Sequence, residues 1–207
     1  MKLSHEKFRI SELDSNYLPP SRLEKSLESL RKDERFDVSE LTSSIENRSI
    51  PVVRFGTGRC KLVFWTQMHG NEATSTRAFL DVFRALQHEL FDAFWQEVLS
   101  KLSVVVVPML NPDGSQRFQR ANAINVDLNR DAVDPICPES KALKQLILDE
   151  KPDLGINMHD QRNLFNVEGT SDPATIAFLS PSYNESKSMN KNREAGMQLI
   201  SSLSRMC

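Results

Sequence analysis

The sequence has few cysteines, no long apolar run and no block of charge of one sign, and each absence excludes a class of protein. Its three cysteines, Cys60, Cys137 and Cys207, are an odd number at wide spacing. That fits neither a disulfide framework nor a cysteine-built metal site, so all three read as reduced thiols. The start of the chain, Met1 to Lys7, leads into no apolar stretch of signal-peptide length, and no later run is long enough to span a bilayer. A cytoplasmic chain with no membrane partner is expected. The 26 basic and 28 acidic side chains leave a formal net charge of −2. No cluster of either sign would track a phosphate backbone, so nucleic acid is not an expected partner either. Repeats and low-complexity tracts are also absent.

What is present suffices for one compact domain: 39% of the 207 residues are apolar. Residues 1–45 read as a leader packed on the outside of a domain over 46–207. Within the leader, Ser21 and Glu24 have the spacing of a capping box, and Leu23, Leu27 and Leu30 follow at helical intervals. Ile50 to Phe55 and Lys61 to Trp65 are β-rich runs separated by Gly56-Thr57-Gly58, which predicts a hairpin or adjacent strands. Phe79, Leu80, Phe83, Leu86 and Leu90 then mark a buried helical stripe. Val104 to Val107 reads as a strand covered on both faces, ending in a turn-rich segment and a long loop. Ala142, Leu143, Leu146 and Ile147 predict a further helix, Leu154 to Met158 a strand, and Ala195, Leu199, Ile200 and Leu203 a last helix. This alternation implies an α/β, three-layer sandwich around a mixed, largely parallel sheet. Ligands bind such sheets beyond the carboxyl ends of the strands. His69, the loop from Asn111 to Arg130 and His159 all fall at such ends.

His69 and Glu72 form an H-x-x-E pair one helical turn apart, where an imidazole and a carboxylate can reach one ion. By itself the pair is weak, since most such pairs in proteins are solvated helix faces. Two features strengthen it. Gly70 lets backbone pack closely between the two, and His159 arrives at the tip of another strand as a third donor. Two histidines and one carboxylate leave a fourth tetrahedral position for water, as in a catalytic rather than a structural zinc site. His5 and His88 read as solvated surface. The loop adds Arg120, Asn129 and Arg130: guanidiniums offer a rigid donor fork for a carboxylate or a developing oxyanion, and a solvated basic loop including Arg117 is the plainer alternative.

The ordered set His69-Gly70-Asn71-Glu72, Asn111-Pro112-Asp113-Gly114, Arg120, Asn125 to Arg130 and His159 resembles the M14 class of zinc carboxypeptidases over about Ile50 to His159. The resemblance implies that His69, Glu72 and His159 bind zinc and that Arg120 stabilises the oxyanion. It also implies that Asn129 and Arg130 hold the terminal carboxylate of a peptide or acylated amino acid, while Asp127 buttresses the loop. In that family the general base is a glutamate on a later strand, with a tyrosine on a nearby loop. Glu168 comes too soon after His159 to match the base and Tyr183 is a poor match for the tyrosine, so a C-terminally incomplete catalytic domain is expected. Three other readings stand beside this one: a deacylase of N-acyl amino acids, a zinc- and carboxylate-binding module without catalysis, and an accidental metal motif.

Overall fold

The computed structural model describes residues 9–10, 16–88, 92–160, 166, 169–172, 176–180, 182 and 184–203. His5, Leu90, Glu168, Tyr183 and Cys207, named above, lie outside these residues. In chain order the elements are α1 (Pro20–Leu27), β1 (Phe36–Ser43), β2 (Ser49–Phe55), β3 (Cys60–Trp65), α2 (Thr74–Leu86), α3 (Asp92–Lys101), β4 (Leu102–Val107), α4 (Pro112–Gln116), α5 (Pro138–Glu150), β5 (Leu154–Asn157) and α6 (Lys191–Leu203). Short 3-10 turns occupy Leu30–Lys32 and Leu128–Arg130.

The five strands form one mixed sheet in the order β1-β2-β4-β3-β5. β1 pairs antiparallel with β2, and β2 with β4; β3 pairs parallel with both β4 and β5. The β2–β3 hairpin read from the sequence is therefore corrected, because β4 lies between the two. Its run of valines explains the central place. Val104 and Val106 face one core cluster with Leu80, Phe83 and Leu86 of α2, while Val105 and Val107 face another with Leu143 and Leu146 of α5. Side chains alternate across a strand, so only a strand covered on both faces can bury four in a row. Each fully buried valine contributes roughly 1.5–3 kcal/mol of transfer free energy. Helices on both faces make the three layers.

The helix of the leader packs by one face, with Ser21, Arg22, Glu24 and Lys25 exposed on the other. Leu18, Leu23, Leu27 and Leu30 are all buried in the α2-side cluster, and β1, which reads as a polar stretch in sequence, is an edge strand of the sheet. Ser21 is not a cap: α1 begins at Pro20, whose ring presets the helical φ at the first position, so Ser21 is already inside the helix. Asn111 opens α4 by accepting from the Gly114 amide at 2.8 Å, placing a short helix in the expected loop. Cys60 and Cys137 are free thiols. Burial, then the hydrogen bond with Asp131, push the Cys137 thiol up to about 11, so it stays protonated.

In place of the single unit expected from length, the chain divides into two compact units, Met1–Asp160 and Gln161–Cys207. Length and apolar content do not say whether apolar groups are buried. In the second unit the described Ile176, Leu179, Met189, Met197, Leu199 and Ile200 are all exposed. Its helix α6 lies where the sequence predicts it, capped by Asn190, whose side chain accepts from the Arg193 amide at 3.0 Å. Among the described residues no helix is long and apolar enough to cross a membrane.

Candidate metal centre

Three strand ends of the first unit converge on one spot. After Trp65 the chain leaves β3 and turns through Met68, His69 and Gly70, and the Glu72 amide donates back to the His69 carbonyl at 3.0 Å before α2 begins. That turn brings Glu72 beside His69. The turn packs directly on α4: a Cβ at Gly70 would lie 2.0 Å from the carbonyl carbon of Gly114, so only glycine allows this approach. Asn111 fastens the same two segments, since its Nδ2 donates to the carbonyls of Met68 at 3.3 Å and of Arg120 at 3.2 Å. His159 follows β5, and Asp160 next to it accepts from the Thr74 amide at 3.1 Å and from the Thr74 hydroxyl at 2.9 Å. In this way the third strand end is pinned to the start of α2.

The donor atoms form a close triangle. Nδ1 of His69 lies 2.9 Å from Oε1 of Glu72, Nδ1 of His159 lies 2.7 Å from Oε2, and the two Nδ1 atoms are 3.1 Å apart. Among the described residues this is the group of histidine, cysteine and acidic side chains that could hold a metal ion. A tetrahedral shell with bonds of about 2.0–2.1 Å has edges of roughly 3.3 Å, and the 3.1 Å between the two Nδ1 atoms and the 2.9 Å from His69 Nδ1 to Oε1 are close to such edges. Two imidazoles and one carboxylate also match zinc chemically. His69 is 2% exposed and the Glu72 side chain 16%, whereas the His159 side chain is 31% exposed, so the cluster is reached from one side. Burial pulls the Glu72 carboxyl up, but hydrogen bonds from His159 and His69, and their charge, outweigh it and hold the group at about 2. The carboxylate is thus the form present at neutral pH.

Asp127 organises the rim. Nε2 of His69 donates to its Oδ1 at 3.1 Å, Nε of Arg120 to its Oδ2 at 3.1 Å, and the Asn129 amide to Oδ1 at 2.9 Å. Burial opposes ionisation of Asp127, while the bonds from Asn129, Arg120 and His69 more than offset it and lower the carboxyl. With an ion held at Nδ1, the Asp127 carboxylate accepting at Nε2 would keep the proton of a neutral His69 there and leave the Nδ1 lone pair for the metal. Arg120 also donates from Nη1 to Oε1 of Glu72 at 3.3 Å, and its side chain is 41% exposed. Its Nη2 makes no hydrogen bond among the described residues.

The other polar loop residues divide. Asn129 and Arg130 lie on the Leu128–Arg130 turn capped by Asp127; Arg130 is exposed, and its guanidinium donates to the Asn129 carbonyl at 3.0 Å. Neither touches the triangle among the described residues. Asp113 is fully buried and accepts from Arg48 at 2.6 Å and Ser44 at 2.8 Å, so it ties α4 to the β1–β2 turn. Arg117 pairs with Glu46 rather than lying free in solvent. Sequence reasoning did not single out Asn111 individually or Asp160 at all. The position of Asp160, next to a histidine at a strand tip, was the only available signal.

Comparison with known proteins agrees with this geometry. The zinc carboxypeptidase family, peptidase family M14, matches residues 23–205. A probable carboxypeptidase 2 of Arthroderma benhamiae is 28% identical over 166 residues, 79% of this chain and 29% of that protein. Carboxypeptidase 2 of Trichophyton tonsurans is 31% identical over 102 residues, 48% of this chain and 19% of that protein. The chain therefore spans less than a third of the length of these relatives. Among solved structures, a metallo-carboxypeptidase from Burkholderia cenocepacia is similar in fold, with a TM-score of 0.64 at 21% identity over 70% of this chain and 42% of that one. A metallo-carboxypeptidase from Pseudomonas aeruginosa, in complex with (2-guanidinoethylmercapto)succinic acid, has a TM-score of 0.61 at 26% identity over 70% of this chain and 41% of that one. On the match over residues 23–205, the chain belongs to the M14 family of zinc carboxypeptidases.

Proposed function

We propose that the protein containing this chain is a zinc-dependent metallocarboxypeptidase that removes the C-terminal residue of a peptide, with His69, Glu72 and His159 as its metal ligands. The observation that carries the reading is the convergence of Nδ1 of His69, a carboxylate oxygen of Glu72 and Nδ1 of His159 within 4.8 Å of one another. Zinc held by these atoms would supply Lewis acidity toward a scissile carbonyl and lower the pKa of an attacking water.

The residues of the chain do the rest. Asp127 keeps the His69 proton on Nε2. Arg120, anchored by Asp127 and Glu72 but 41% exposed, presents the rest of its guanidinium to the negative charge that grows on the carbonyl oxygen. Asn129 and Arg130, on the adjacent turn, receive the substrate's terminal carboxylate, which the planar guanidinium fork suits. Glu72, Asp127 and Asp160 are each committed to hydrogen bonds. The proton acceptor is therefore assigned to a group outside the described residues. The resemblance of the Asn-Pro-Asp-Gly segment to the M14 class favours the peptidase branch over deacylases.

The test is a pair of peptides, one with a free and one with an amidated C-terminus, given to the full-length protein. Release of the last residue from the free peptide only, lost in His69→Ala, is the expected result. Equal hydrolysis of both, or hydrolysis by His69→Ala, contradicts the reading.

A further inference from the structure

One buried side chain beside the triangle takes no part in the chemistry above, yet it is bonded to the turn that carries His69. Gln67, two residues before His69, is fully buried and has a left-handed backbone with φ of 48°. Side chains rarely adopt that conformation, and glutamine is not among those that favour it, so its surroundings must hold it there. Nε2 of Gln67 donates to the Gly70 carbonyl at 2.8 Å and to Oγ of Ser115 at 2.9 Å, while Oε1 accepts from the Thr76 hydroxyl at 2.9 Å. Its own carbonyl accepts from the Asn111 amide at 3.1 Å. Ser115 in turn donates to the Leu18 carbonyl. Both donors of the amide are used, and they join the end of β3, the His69 turn and α4, with α2 attached through the acceptor.

We propose that Gln67 is a positioning residue of the metal centre: its buried amide holds the Gly70 carbonyl, and with it the backbone between His69 and Glu72, so that both ligands face one point. The inference rests on the metal-site reading above. The Gly70 carbonyl belongs to the short segment linking the two ligands, so a loss of its partner acts on both at once. Removing the amide leaves that carbonyl without its partner in a buried site, whereas Ser115 keeps its bond to the Leu18 carbonyl and Thr76 its bond to Thr66; the turn can satisfy the carbonyl only by moving. Hydrogen-bond partners of ligating side chains typically cost about 10- to 100-fold in metal affinity when lost, and a group that holds the backbone between two ligands is expected to act on the same scale.

The alternative is that Gln67 only fills an awkward turn, and Gln67→Gly separates the two. Glycine suits the left-handed backbone but has no amide. Zinc affinity would be measured by chelator competition in the full chain, well below its melting temperature, for Gln67→Gly and Gln67→Leu. Val63→Ala, a core change on β3, serves as the control for lost stability alone. Both Gln67 variants are expected to bind zinc about 10- to 100-fold more weakly and to alter the visible spectrum of the cobalt-substituted protein, while Val63→Ala changes neither. Affinity of Gln67→Gly within about threefold of wild type, a small part of that expected loss, with an unchanged cobalt spectrum, overturns the proposal. If both Gln67 variants fail to fold, Gln67→Asn, which tolerates the left-handed backbone but whose shorter side chain moves the amide away from the Gly70 carbonyl, decides on the same scale, a wild-type affinity overturning it. Equal zinc binding by wild type and His69→Ala would instead overturn the metal-site reading itself, an outcome distinct from the first.

Discussion

Oδ1 of Asp127 lies 3.1 Å from Nε2 of His69, on the side of the ring opposite Glu72 and His159. A carboxylate there accepts the imidazole proton and leaves Nδ1 as the ligand atom, with a more basic lone pair. Asp127→Asn keeps the shape but can present an amide donor to Nε2, which favours the wrong tautomer. Zinc affinity by chelator competition should fall about 10- to 100-fold, with the melting temperature of the metal-free protein little changed. An unaltered affinity would show that Asp127 only braces the loop.

Arg120 shares that carboxylate through Oδ2 and points the rest of its guanidinium outward. If it stabilises developing oxyanion charge, Arg120→Ala in the full-length protein should lower kcat about 10²- to 10³-fold with a smaller effect on KM, as for other removed oxyanion donors. Steady-state kinetics separates this from a substrate-binding role, in which KM alone would rise.

The approach of Gly70 to Gly114 makes a stability prediction. The Cβ of Gly70→Ala would meet the Gly114 backbone at 2.0 Å, and backbone on both sides cannot rotate away as a side chain could. Urea denaturation should show a loss of about 1–3 kcal/mol or more, together with weaker zinc binding, because the displaced turn carries His69 and Glu72.

Acid stability should depend on a pair far from the metal centre. The Arg35 guanidinium bonded to Asp33 at 2.7 and 2.9 Å holds the Asp33 carboxyl at about 2, below its ordinary 3.8. Arg35 also donates to the Leu86 carbonyl at the end of α2. A carboxyl depressed on folding contributes stability that is fully present above the unfolded value and lost as pH falls through the folded one. The stability difference between wild type and Asp33→Asn should therefore shrink between about pH 4 and pH 2. Solvent screening at this partly exposed pair keeps it on the order of 1 kcal/mol. Denaturation of both proteins across that range checks it, and a difference that does not vary with pH would contradict it.

Much of this architecture can be read from the sequence where a residue pattern answers a local question. The valines of β4, the stripe Leu80, Phe83 and Leu86, and the helix containing Leu143 and Leu146 announce buried faces by their spacing, and each is found there. Spacing says which face of an element is buried, not which element covers it. That is why β2 and β3 look like neighbours until β4 is seen between them, and why the stripe Leu23, Leu27 and Leu30 does not by itself reveal that it packs on the α2 side of the sheet. β1 is not legible in the sequence because Phe36 alone among its side chains is buried, so its composition is that of a solvated edge. At the centre, the chemical types of His69, Glu72 and His159 make them legible at a distance. Gln67 and Asp160 are ordinary polar residues whose importance lies in their bonds to segments remote in sequence, which no local pattern records; the Asn-Pro-Asp-Gly motif marks Asn111 without showing its bonds to Met68 and Arg120.

The most direct measurement is the zinc content of the purified protein, by atomic absorption, for wild type, His69→Ala and His159→Ala, each verified as folded by circular dichroism. The account predicts about one zinc per chain in wild type, from a single three-ligand site, and near-complete loss in both variants. Undiminished zinc in either folded variant would contradict it.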